Sequence, residues 1–338
     1  MAITHTLVNT NLDNSNTTLV HPGDWNADHV IAPGSITQQM LAPGAYVNYD
    51  QVAQLRWYDV NRTGYAISTQ PQPWGGCFDG QNIWVANYGA SIMSKINVNT
   101  LSVANVTVAG SLTGCCFDGQ NIWATNTAGL YKVLASTGAT VGTYTMPYAS
   151  YANCCFDGQY VWTANYYNTS VTKFNTSGGV VGTYPVGGNA YFICFDGTYI
   201  WTYNYSSTAA SISKVLASNG TLAGGPYSAP NESGGQGGIC YDGKYIWAGG
   251  TSVAKYDPST GTRIQTISTL GGGTWGMCSD GYYVWTGTGS ASGYINKIRC
   301  YDGALIATPT IGGTAVSPCY DGVRTWAFSY GGNTAYIL

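Results

Sequence analysis

One phrase recurs seven times in this 338-residue chain: a cysteine, an Asp-Gly pair two residues later, and a tryptophan five residues after the aspartate. The cysteines are Cys77, Cys116, Cys155, Cys194, Cys240, Cys278 and Cys319. The aspartates are Asp79, Asp118, Asp157, Asp196, Asp242, Asp280 and Asp321, and the tryptophans Trp84, Trp123, Trp162, Trp201, Trp247, Trp285 and Trp326. Successive aspartates are 39, 39, 39, 46, 38 and 41 residues apart. A supersecondary unit repeated at this period builds a solenoid, an array or a closed ring.

Inside one unit the pattern is that of four short strands. "GGCFD" reads as a first strand and "DGQN" as a hairpin turn, because Asp-Gly tolerates the positive φ angles such turns need. "NIWVAN", "SIMSKIN" and "SVANVTVAG" follow as second, third and fourth strands. Four antiparallel strands in about 40 residues make a propeller blade. A solenoid would call for polar capping repeats, and the sequence carries none. Composition agrees: only 8 % of residues are charged, with 46 Gly and 28 Tyr, which favours strands and tight turns over helices.

The last unit, "SPCYDGVRTWAFSYGGNTAYIL", holds three strands up to Leu338. Ahead of the first unit, "GYAISTQ" at 64–70 matches a fourth strand and is expected to complete the seventh blade, leaving no open sheet edge. The expected fold is all-β: a seven-bladed β-propeller of four-stranded blades over residues 55–338. Residues 1–54 lack the repeat and are punctuated by Pro and Gly, so they read as an extended N-terminal arm that orders against a partner or another copy of the chain.

Ten cysteines raise the question of disulfides or zinc, yet no C-x-x-C occurs. Seven equivalent positions cannot be paired off, and equivalent positions on neighbouring inner strands are expected to exceed the reach of a disulfide. Cysteine therefore reads as a small hydrophobe where blades converge, with free thiols assembled in a reducing cytoplasm. Cys115 and Cys154 directly precede a repeat cysteine and point to the opposite strand face. The repeat aspartate reads as a turn residue. Lys95, Lys132, Lys173, Lys214, Lys255 and Lys297 recur on the third strands, where each meets its own blade's aspartate as a charge pair or its tryptophan as a cation–π contact.

Catalysis by acid, base or nucleophile requires converging titratable groups. The three histidines, His5, His21 and His29, all lie in the arm, and Glu232 is the only glutamate. Outside the seven turns the propeller's aspartates are Asp59, Asp257 and Asp302, so no triad or carboxylate pair can be drawn. The arm's His21, Asp24, Asp28 and His29 read as turn and cap residues, and no metal or cofactor is expected. A formal charge of −3 gives no basic stripe for nucleic acid and no polybasic patch for a membrane. No secretory signal is read at the N-terminus, and no apolar run approaches a membrane span.

Aromatic residues stand instead on the loops opposite the Asp-Gly turns: Tyr88, Tyr148, Tyr151, Tyr166, Tyr167, Tyr191, Tyr205, Trp275 and Tyr330. Tyrosine and tryptophan offer an apolar face with a hydrogen-bonding tip, which suits a neutral glycan or another protein. The same side chains also suit packing between loops.

Two resemblances follow. "CFDGQNIWVANYGASIMSKIN" resembles the YVTN-type and streptogramin-lyase-like propeller repeats, a likeness that covers residues 55–338. Lyases of that group use histidines and a glutamate with magnesium. This propeller has no histidine, so the resemblance implies the fold without the activity. "LVHPGDWNADHVIAPGSITQQMLAPGA", residues 19–45, resembles the N-terminal segments of bacteriophage tail-fibre and related virion proteins.

That second likeness implies a virion structural protein, a fibre or decoration component assembled in the host cytoplasm. Its arm would dock on other virion proteins or self-oligomerise through Trp25, Ile31, Ile36, Met40 and Leu41. The propeller would face a host-surface glycan or protein, with no nucleic acid partner and no membrane insertion. The alternatives are a lyase-type propeller enzyme and a secreted bacterial adhesin or lectin.

Overall fold

The computed structural model describes residues 65–127, 129–147, 153–206, 208–230 and 237–338. The chain divides into two compact units, Met1–Val47 and Asn48–Leu338, and every described residue lies in the second. The arm anchors Trp25, Ile31, Ile36, Met40 and Leu41 therefore lie outside the described residues, as do the three histidines and Glu232.

Seven four-stranded antiparallel sheets form the ring, numbered here as blades 1–7 in chain order. Blade 1 is β2 (Pro73–Phe78), β3 (Asn82–Asn87), β4 (Ile92–Asn97) and β5 (Val103–Thr107), from the axis outward. Blade 2 opens with β6 (Leu112–Phe117) and β7 (Asn121–Asn126), and blade 3 with β10 (Cys154–Phe156) and β11 (Tyr160–Asn165). Blade 7 is built from β26 (Ala315–Tyr320), β27 (Thr325–Ser329) and β28 (Thr334–Ile337). Its outer strand is β1 (Ala66–Ser68), paired antiparallel with β28 so that Ile67 faces Ala335. The inner strand β2 packs against both β6 and β26, and the ring closes there.

Why the repeat phrase folds this way is visible in blade 3. The Asp157 Oδ1 accepts the backbone N–H of Gln159 at 2.8 Å and of Tyr160 at 2.6 Å, which fixes the turn. Its Oδ2 accepts the indole N–H of Trp162 at 2.7 Å. The same indole–carboxylate bond forms in all seven blades, at 2.6–2.8 Å. Gly158 takes φ +94°, with open space where a Cβ would project, so glycine is required there by backbone conformation. Six of the seven repeat tryptophans are fully buried, and Trp285 is 6 % exposed.

The third-strand lysines complete the unit. The register pairs Trp162 with Lys173 and places the Lys173 Nζ 5.1 Å from the Trp162 ring centre. Lys173 then donates at 2.7 Å to the carbonyl of Ala217 in the next blade. Lys95, Lys132, Lys214 and Lys255 make the same two contacts, to Ala135, Thr176, Pro258 and Cys300. Of the two readings of these lysines, the structure realises the cation–π contact: among the described residues none is in an ion pair with an aspartate. Lys297 lies over Trp285 and Tyr283 and donates to no carbonyl among the described residues.

Blade 7 pairs Trp326 with Ile337 and has no such lysine. Arg324 takes the role from the end of the Asp-Gly turn, just before β27. Its guanidinium is buried against Trp326, pairs with Asp321 at 3.2 Å and donates to the Val98 carbonyl of blade 1 at 2.6 Å. A cation thus ties blade 7 to blade 1, as lysines tie each of blades 1–5 to the next blade.

Outer-strand tyrosines lock the rim. Tyr144 stacks on Trp123 with ring centres 5.6 Å apart, and its other side meets Gly178 of blade 3, where a Cβ would fall 1.8 Å from the ring. Glycine at 178 is set by this close approach as well as by its φ of +91°.

Candidate functional site

In blades 1, 4 and 6 the position three residues before the repeat cysteine lies near the start of the inner strand, at the face opposite the Asp-Gly turns. It is occupied by Trp74 in blade 1, Tyr191 in blade 4 and Trp275 in blade 6. These side chains converge near the axis. Trp74 and Trp275 lie with ring centres 5.4 Å apart, and Phe192 joins them around a void with no room for a water molecule. Below it, residues of all seven inner strands line an axial cavity of about 340 Å³ that continues to Phe78, Ser279 and Tyr320 at the Asp-Gly end. The aromatic residues thus cover one end of the axis.

Around this cap the loop tyrosines form two linked groups. Tyr88 and Tyr330 each sit 5.4 Å from Trp74, the latter edge-on, and Trp275 meets Tyr330 at 6.2 Å. Tyr166 and Tyr167, on a short turn of 3-10 helix after β11, pack at 4.7 Å, and Tyr166 also meets Tyr191 at 5.3 Å and Tyr205 at 5.7 Å. Tyr191 continues to Phe192 at 5.0 Å, so aromatic contacts run from the Tyr167 loop to the cap. Seven of the nine aromatic residues read from the sequence are brought to this face. The other two, Tyr148 and Tyr151, lie outside the described residues.

The seven are not equivalent. Tyr191 is buried and belongs to the packing beneath the face, while Tyr88, Tyr166, Tyr205, Trp275 and Tyr330 are half-buried. Tyr167 is 72 % exposed and presents its ring to solvent. Both sequence readings of these side chains therefore hold, for different members: a packed foundation with an exposed edge. Trp74 and Phe192 escaped the sequence reading. The available signal was the register of the repeat, since Trp74 is the equivalent of Trp275.

The titratable groups elsewhere do not converge. Asp257 accepts the Ser259 hydroxyl at 2.6 Å and its backbone N–H at 2.8 Å, bonds that hold its carboxyl below the usual range. Asp302 is held lower still by its bidentate pair with Arg299, at 2.6 and 2.9 Å. Burial pushes the thiols of Cys155, Cys194, Cys240, Cys278 and Cys319 up, away from the thiolate form that reacts. All ten cysteines are free. Among the described residues, no three His, Cys, Asp or Glu side chains are grouped as metal ligands are.

No family model matches the sequence, and a search of curated proteins finds no match. Among solved structures the chain is similar to the Kuenenia stuttgartiensis hydrazine synthase, at 14 % identity and a TM-score of 0.68. The match covers 80 % of this chain and 97 % of that one. At this identity the likeness is one of fold alone.

Proposed function

We propose that the protein is a non-enzymatic structural protein of a bacteriophage virion, a fibre or decoration component, whose propeller binds a neutral glycan on the host surface. The observation that carries the binding half is the aromatic face. A buried layer of Trp74, Tyr191 and Phe192 supports half-buried rings, and Tyr167 stands exposed at its edge. Rigid aromatic rings that lose little entropy on binding suit stacking on sugar faces, and their hydroxyls suit the sugar's own. With 8 % charged residues in the chain, the surface favours a neutral ligand over an anionic one.

The virion half rests on the resemblance of residues 19–45 to phage fibre segments, with Trp25, Ile31, Ile36, Met40 and Leu41 as the arm's contacts to other virion proteins or to copies of itself. Mass spectrometry of purified particles is expected to find this chain in fixed stoichiometry. Its absence from particles made by cells that express it would overturn that half. A glycan array probed with the full-length protein is expected to retain it on neutral oligosaccharides. Retention on anionic glycans alone, or none while the protein remains folded, would overturn the ligand assignment.

A further inference from the structure

In blades 2 and 3 the residue before the repeat cysteine is itself a cysteine, and it points at the preceding blade. The Cys115 Sγ lies 3.5 Å from the carbonyl oxygen of Trp84 in blade 1, and Trp84 is the register partner of Cys77. The Cys154 Sγ lies 3.5 Å from the carbonyl oxygen of Trp123 in blade 2, and Trp123 is the register partner of Cys116. Cys77 and Cys115 pack in one core cluster, and Cys116 and Cys154 in the next. The strands that carry them approach within 8 Å between Cα atoms. At three of the other boundaries the same position is a large apolar side chain. Ile193 packs with Cys155, Ile239 with Cys194, and Met277 with Cys240.

We propose that Cys77 with Cys115, and Cys116 with Cys154, form two redox-active thiol pairs that a peroxide converts to interblade disulfides, stapling blades 1, 2 and 3. In each pair one sulfur, as thiolate, attacks a peroxide oxygen and expels hydroxide, which leaves as water after protonation. The resulting sulfenic acid is attacked by the second sulfur, releasing a second water. Two thiols and one hydrogen peroxide give one disulfide and two waters: the pair loses two electrons and two protons, and the peroxide gains them. The offset pairing escapes the argument from equivalence, because the partners stand at different positions of the repeat. Cys77, Cys115 and Cys154 line the axial cavity, which gives a small oxidant a route.

The Cys77 thiol is pushed well up by the neighbouring Cys115 thiol and by burial, and that of Cys154 by the neighbouring Cys116 thiol and by burial. Oxidation is therefore slow at neutral pH and speeds up as the pH rises.

The test oxidises the reduced full-length protein with hydrogen peroxide, blocks remaining thiols with iodoacetamide, and maps disulfides by mass spectrometry of a non-reducing digest. Fragmentation between Cys115 and Cys116, and between Cys154 and Cys155, assigns each bond in the wild-type chain. The expected bonds are Cys77–Cys115 and Cys116–Cys154. Cys115→Ser should lose the first and keep the second, Cys154→Ser the reverse, and Cys155→Ser should keep both. Other pairings in comparable yield, bonds only between molecules, or full alkylation of all four thiols after peroxide would overturn the proposal.

Discussion

The indole of Trp162 donates to the carboxylate of Asp157 at 2.7 Å, and that single bond joins the turn of blade 3 to its buried centre. Asp157→Asn preserves an oxygen for the turn but sets an amide N–H₂ against the indole N–H. The expected cost is about 1.5–3 kcal/mol, the range for a hydrogen bond to a charged group. Urea unfolding measures it, and Asp196→Asn, whose carboxylate accepts the same three bonds, should lose a similar amount.

The lysines offer an internal comparison. Lys173 is 2 % exposed and donates to Ala217, whereas Lys297 covers Trp285 and Tyr283 without a carbonyl acceptor among the described residues. Lys173→Met leaves a carbonyl unpaired and should cost about 1–3 kcal/mol. Lys297→Met loses a cation–π contact while relieving the desolvation that lowers the lysine's pKa, so its stability should stay within about 1 kcal/mol of wild type. Equal losses in denaturant titrations would show that the interblade carbonyl contributes nothing.

Alkaline pH should destabilise the fold. Eight thiols, those of Cys77, Cys154, Cys155, Cys194, Cys240, Cys278, Cys300 and Cys319, are raised above their ordinary value of 9.0, chiefly by burial or by a neighbouring thiol. The unfolded chain ionises first, so the stability these thiols give is whole below pH 9 and drains away above it. Lys173, Lys214 and Lys297, lowered by desolvation from 10.5, act in the opposite sense between their folded values and 10.5. They are fewer, and Tyr241 and Tyr256 side with the thiols. Under reducing conditions, the unfolding free energy at pH 9.5 should be lower than at pH 7.5. A flat or rising profile would contradict the buried-thiol account.

Much of this architecture was legible in the chain itself, because each blade repeats a local solution. "NIWVAN" reads as a second strand and is β3, Asn82–Asn87. The Asp-Gly-to-Trp spacing encodes a turn and a hydrogen bond made within one hairpin. What escaped depends on contacts between blades. The partner of Cys115 is set by how blade 2 leans on blade 1, which spacing along one strand does not contain. Arg324 replaces the third-strand lysine from the turn that precedes β27. Its signal is faint: the seventh repeat alone carries arginine three residues after its aspartate. Trp74 went unread for a different reason, since it precedes the first copy of the phrase and shows its role only when aligned with Trp275.

The central claim is that the aromatic face binds and the Asp-Gly face is scaffold. The most direct measurement is the affinity of the full-length protein for the glycan or host surface that retains it. Wild type is compared with Tyr166→Ala/Tyr167→Ala and with Gln120→Ala, an exposed residue in an Asp-Gly turn. The account predicts a loss of about tenfold or more for the tyrosine variant, the scale of removing an aromatic anchor. Gln120→Ala should bind as wild type does and keep its unfolding midpoint. The tyrosine variant should remain folded at the assay temperature with a lower midpoint, since Tyr166 packs against Tyr191 and Tyr205. Unchanged affinity in the folded tyrosine variant, or a matching loss in Gln120→Ala, would contradict it.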